Sequence, residues 1–117
     1  MYSSAIRDFR TSRLGVGVAE TAVLKAVKVT VDIEHTYIGD LVVSIQPPAA
    51  TGVPAIALHT NAGGGTRNLH ATYDEIGAPA LASLLGKKPQ GTWTLVVKDT
   101  AAVDTGRIRS VSIEMRL

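Results

Sequence analysis

The chain has 117 residues, enough for one domain with one sizeable core. Hydrophobic residues make up 45% of it, yet only five are aromatic (Tyr2, Phe9, Tyr37, Tyr73 and Trp93), so the core has to be built from Val, Leu, Ile and Ala. Twelve Lys and Arg against ten Asp and Glu leave a formal charge of +2, too slight and too poor in aromatics for a nucleic-acid surface, and the absence of Cys excludes disulfides and thiolate chemistry.

No apolar run approaches the ~20 residues that a membrane helix needs. Met1 leads straight into YSSAIRDFR without the apolar segment of a signal peptide. A secreted protein with this sequence is therefore expected to be part of a larger precursor.

The first strong pattern is AVLKAVKVTVDIEH, residues 22–35. Val27, Val29, Val31 and Ile33 alternate with Lys28, Thr30, Asp32 and Glu34, which predicts a strand with one buried face. HTYIGDLVVSI follows: a turn at 36–40, then Leu41, Val43 and Ile45 in alternation until Pro47 and Pro48 stop the ladder. AIALHT at 55–60 predicts a further short strand, and Gly63, Gly64 and Gly65 predict a loop with unusual backbone angles. APALASLLG, residues 78–86, spaces Leu81, Leu84 and Leu85 for a helical turn or two ended by Gly86.

GTWTLVVKD, residues 91–99, puts Trp93, Leu95 and Val97 on one face. GRIRSVSIEMRL, residues 106–117, turns Val111, Ile113, Met115 and Leu117 inward, with Ile108 out of phase; a β-bulge near Ser110 would bury both sets. Strands separated by Gly-, Pro- and Asp-rich turns predict an all-β sandwich in a single domain.

Chemistry is harder to place. GxSxG is absent, and no Ser or His stands in a motif that would poise it for acyl transfer. His35, His59 and His70 are 24 and 11 residues apart, with no HExxH, so zinc has no signature here. The ordinary reading of His35 is a strand-end residue bonded to nearby backbone. The glycine triplet lacks the lysine and helix of a phosphate-binding loop. Asp40, Asp99 and Asp104 are loop carboxylates of the kind calcium takes, but Asp is also favoured in turns for its own backbone hydrogen bonds. Spacing leaves both readings open.

The blocks as a set resemble the P domain, also called P/Homo B, of kexin- and furin-like proprotein convertases and bacterial subtilisin-like proteases. A D-I-x-H-T-x-x-G-D-L block is met by Asp32, Ile33, His35, Thr36, Gly39, Asp40 and Leu41. A G-x-W-x-L-x-V-x-D block is met by Gly91, Trp93, Leu95, Val97 and Asp99, and a D-T-G-x-L block by Asp104, Thr105, Gly106 and Ile108. GGGTRNLHATYDE and LASLLGKKPQ resemble the family's Gly-rich loop and its approach to the final hairpin. The match spans roughly residues 22–117, while 1–21 match poorly. Val111 stands where the family commonly has Trp, and the stretch from Asp74 to Leu81 is short.

The resemblance implies a jelly-roll β-sandwich of about eight mostly antiparallel strands. It implies no catalytic residues in this chain, and a role as the stabilising accessory domain of a secreted subtilisin-like serine endopeptidase, linked to or associated with its catalytic domain. Some family members bind calcium at these carboxylates, so it also points to Asp40, Asp99 and Asp104 as candidate calcium ligands. The alternative expectation is an independent carbohydrate- or protein-binding module, with Tyr37 and Tyr73 as its aromatic candidates.

Overall fold

The computed structural model describes the backbone of residues 4–6 together with residues 11–100 and 106–117. Eight strands run through them: β1 (Ser4–Ile6), β2 (Thr11–Val18), β3 (Ala26–His35), β4 (Leu41–Gln46), β5 (Ile56–Thr60), β6 (Leu69–Tyr73), β7 (Gly91–Asp99) and β8 (Gly106–Arg116). They form two four-stranded antiparallel sheets, in the orders β1-β8-β3-β6 and β2-β7-β4-β5. Successive strands change sheet at every step except β4 to β5. This is the wrapped order of a jelly roll.

Alternation explains the layers. Val27, Val29, Val31 and Ile33 of β3 are fully buried, and so are Leu41, Val43 and Ile45 of β4 and Trp93, Leu95 and Val97 of β7. Side chains change face at every residue of a strand, so each of these sets comes from one face of its sheet and fills the space between the two. Each such side chain stabilises the fold by about 1.5–3 kcal/mol relative to exposure. Trp93 fits this apolar layer because its indole N–H donates to the Pro89 carbonyl at 2.8 Å.

The bulge expected in β8 is present. Asp32 faces Ser110 and Ile33 faces Ile108, so Arg109 is the extra residue. The slip buries Ile108 completely while Val111, Ile113 and Met115 still pack against the core. Leu117, expected inward, is 38% exposed.

Other boundaries differ from the sequence reading. β3 starts at Ala26; Leu24 is buried as a loop residue, held by Leu24 N–H to Lys87 O and Gly86 N–H to Leu24 O. The helical segment is a short 3-10 turn, Pro79–Leu84, that buries Leu81 and Leu84 but leaves Leu85 outside. β2 and β6 add strands that the sequence analysis does not place, and both are edge strands of their sheets. Among the described residues no helix is long and apolar enough to cross a membrane.

Candidate functional site

The quoted blocks converge at one end of the sandwich. β3 ends at His35, a 3-10 turn at Ile38–Asp40 leads into β4, and β7 ends at Asp99 opposite Leu41. The Gly-rich loop closes over this end: the Ile38 N–H donates to Thr66 O at 3.0 Å, and the Gly39 N–H to Gly64 O at 2.9 Å. A methyl group on Gly39 would lie 2.8 Å from Gly64 O, which is why this approach takes glycine.

At its centre is a buried polar pair. His35 and Asp99 have no exposed side-chain surface, and Nε2 lies 3.1 Å from Asp99 Oδ2. The Tyr37 N–H donates to Nδ1 at 3.0 Å, so the hydrogen-bond network places the ring proton on Nε2, which donates to the carboxylate. The backbone of His35 is bound as well: its N–H donates to Asn68 Oδ1 and its carbonyl accepts the Asn68 N–H. Gly106 lies directly across in β8, and a Cβ there would run into the Glu34 carbonyl oxygen and the His35 Cα. The glycine of DTG is therefore required by close backbone packing.

This pair is arranged for structure. A triad histidine orients itself with one nitrogen and takes a nucleophile's proton with the other. Here both nitrogens are engaged, one by backbone and one by Asp99, and the ring is sealed from solvent. Left unpaired, either partner would carry the full cost of a buried polar group.

Around the pair, a second network fixes Asp40. Its carbonyl accepts both the N–H and the Oγ1–H of Thr100 at 2.8 Å, while Asn61 Nδ2 donates to Gly39 O and to Thr100 Oγ1. Of the expected calcium set, Asp40 and Asp99 thus lie at the same end of the domain, and Asp104 lies outside the described residues. Calcium takes six to eight oxygens. Asp99 Oδ2 accepts from His35, the Gly39 and Asp40 carbonyls accept internal donors, and no group of three His, Asp or Glu suited to a metal exists among the described residues.

The remaining candidates are dispersed. His59 is buried, with Nε2 donating to Ile38 O at 2.9 Å, whereas His70 is exposed on β6 opposite Asp32. Tyr37 is exposed beside Gly65, but Tyr73 ends β6 opposite Val29, well along β3 from His35, and burial pushes its phenol pKa up. The two tyrosines do not form one platform.

Comparison with known proteins meets this geometry. The family model described as the proprotein convertase P-domain matches residues 24–115. The chain belongs to that family. A "Calcium-dependent protease" of Trichormus variabilis is 56% identical over 110 residues, which is 94% of this chain and 17% of that protein. "Leupeptin-inactivating enzyme 1" of Streptomyces exfoliatus is 43% identical over 86 residues, covering 74% of this chain and again 17% of the relative. The chain spans about a sixth of the length of these curated relatives. The fold recurs in crystal structures of the Aeromonas sobria serine protease, alone and with its chaperone, at TM-scores of 0.68 and 0.70 and 18% identity, over 96% of this chain and 24% of theirs. This chain is thus a P domain, and the sequence blocks that carry its family resemblance build the His35 end.

Proposed function

We propose that this P domain is the non-catalytic accessory domain of a secreted subtilisin-like serine endopeptidase, packing on the catalytic domain and stabilising it. The observation that carries this reading is the 56% identity across nearly the whole chain to a protease of which it spans only 17%. The chemistry then belongs to the remainder of such a protein, and this sandwich supplies a folded surface.

Stabilisation follows from linkage, since a lobe that binds only the folded catalytic domain shifts the unfolding equilibrium toward the native state. A short tether gives an effective concentration on the order of millimolar, and a docking constant about 100-fold lower contributes about 2.7 kcal/mol. The test compares the parent protease with and without residues 1–117. A lower melting temperature and faster inactivation without the domain are expected; equal melting temperatures remove the stabilising role.

Calcium at Asp40, Asp99 and Asp104 has its own test, melting of the 117-residue chain in millimolar Ca²⁺ and in EDTA. A rise with calcium that is lost in Asp40→Ala establishes the site. Equal melts assign Asp40 to its turn and Asp99 to His35.

A further inference from the structure

Beside the sealed His35 pair the surface opens into a cleft of about 590 Å³ whose walls include Glu34, Thr36, Arg67, Asn68 and Arg107. Its charge is unbalanced. Arg107 Nη2 lies 3.7 Å and Arg109 Nη1 3.9 Å from the same oxygen of Glu34, Oε2. Both distances exceed the ~2.7–2.9 Å of a charge-assisted hydrogen bond. Each of these three side chains is about half exposed. Arg67, which also lines the cleft, adds a third guanidinium, so among the described residues three guanidinium groups stand around the one carboxylate of Glu34. Among the described residues the next acidic residue along β3, Asp32, is two positions away, about 7 Å. Asn68 directs its Oδ1 to the His35 N–H, which leaves its amide Nδ2 as a further donor.

The cleft is also rigidly framed. Asn68 holds a left-handed backbone angle, φ 61°, and is bonded to both the N–H and the carbonyl of His35. Arg67 is thereby anchored on one side of β3 while the β3–β8 register fixes Arg107 on the other. Guanidiniums held on a fixed frame match carboxylates better than mobile ammonium groups do.

The geometry points to a docking site for carboxylates here: Arg67 and Arg107, supported by Arg109, take up acidic side chains of an extended polypeptide segment, and Glu34 is the internal carboxylate that such a segment displaces. The inference is independent of which protease carries the domain. The shared chemistry is that of oxyanions, so the test must separate peptide carboxylates from free phosphate.

The experiment titrates the 117-residue chain with a hexaglutamate peptide at low ionic strength, following backbone amide NMR shifts, with inorganic phosphate as a parallel arm. Saturable shifts centred on Thr36, Asn68 and Arg107 are expected. The double variant Arg67→Gln/Arg107→Gln should weaken binding at least about tenfold, the loss of roughly two exposed ionic contacts. Glu34→Gln should tighten it by removing the competitor. Both changes lie on the surface, and an unchanged melting temperature shows that the variants are folded. The proposal is overturned by diffuse, non-saturating shifts, by a double variant that binds like the parent, or by cleft binding of phosphate without hexaglutamate.

Discussion

At the scale of single residues, His35 and Gly106 carry the strongest consequences. Replacing His35 with Ala leaves the Tyr37 N–H and the buried Asp99 carboxylate without this partner, and the expected cost is about 3 kcal/mol by chemical denaturation. His35→Gln should recover part of that loss, because its amide N–H can reach toward Asp99; equal losses in the two variants would show that ring packing, not hydrogen bonding, sets the cost. Gly106→Ala pushes a methyl into the Glu34 carbonyl and the His35 Cα and should cost about 2 kcal/mol. Asp74 governs a pH effect. Its Oδ1 accepts the Gly77 and Ile76 N–H groups at 2.8 and 3.0 Å, and these bonds, Gly77 first, with the Lys28 charge hold its carboxyl below the usual carboxylate value. A carboxyl whose folded pKa is depressed stabilises the fold above its unfolded value, and that stability is lost as pH falls through the folded one. Melting curves should therefore lose this contribution below about pH 4, and Asp74→Asn should flatten that limb. Much of this was hidden in the sequence. That His35 bonds to nearby backbone followed from its place at a strand end, but Asp99, 64 residues away, became its partner only through the β4–β7 register.

At the scale of elements, legibility tracked burial. β3, β4 and β7 each have one face against the opposite sheet, so their alternation was readable, and the phase break at Ile108 located the β8 bulge to within one residue. β2 and β6 are edge strands that also alternate, Leu14, Val16 and Val18 against Arg13, Gly15 and Gly17, and Leu69, Ala71 and Tyr73 against His70 and Thr72, but the glycines of β2 and the Gly-rich loop just before β6 read as turn signals and masked that period. Pairing with β7 over eight consecutive residues orders β2, and that is a tertiary fact. The bulge yields a sharp test. Deleting Arg109 closes the bulge and leaves Ile108 and Val111 two positions apart, so an unbroken β3–β8 ladder keeps Ile108, Val111, Ile113 and Met115 on the inward face. The deletion should therefore destabilise the domain less than Ile108→Ala, which is expected to cost about 2–5 kcal/mol. A deletion variant melting below Ile108→Ala would mean that the fold needs the local twist of the bulge itself.

At the scale of the whole molecule, the wrapped order makes the domain depend on its last strand. β8 lies between β1 and β3, and it pairs with β3 along ten registered positions, from Ala26–Arg116 to His35–Gly106. Removing residues 106–117 unpairs one full edge of β3, opens the layer under Val27, Val29, Val31 and Ile33, and removes the glycine that seats His35. No local segment can substitute, because most of the sheet contacts join strands distant in sequence, and such topologies form cooperatively or not at all. The 106–117 deletion should therefore show no cooperative melting by circular dichroism. In a parent protease of the proposed kind, the same twelve-residue deletion should lower the melting temperature as far as removal of the entire domain, since an unfolded lobe offers no docking surface and contributes nothing by linkage. A parent that keeps its full stability after the short deletion but loses it after the long one would show that stabilisation comes from the tethered chain in residues 1–105 and does not require the folded sandwich.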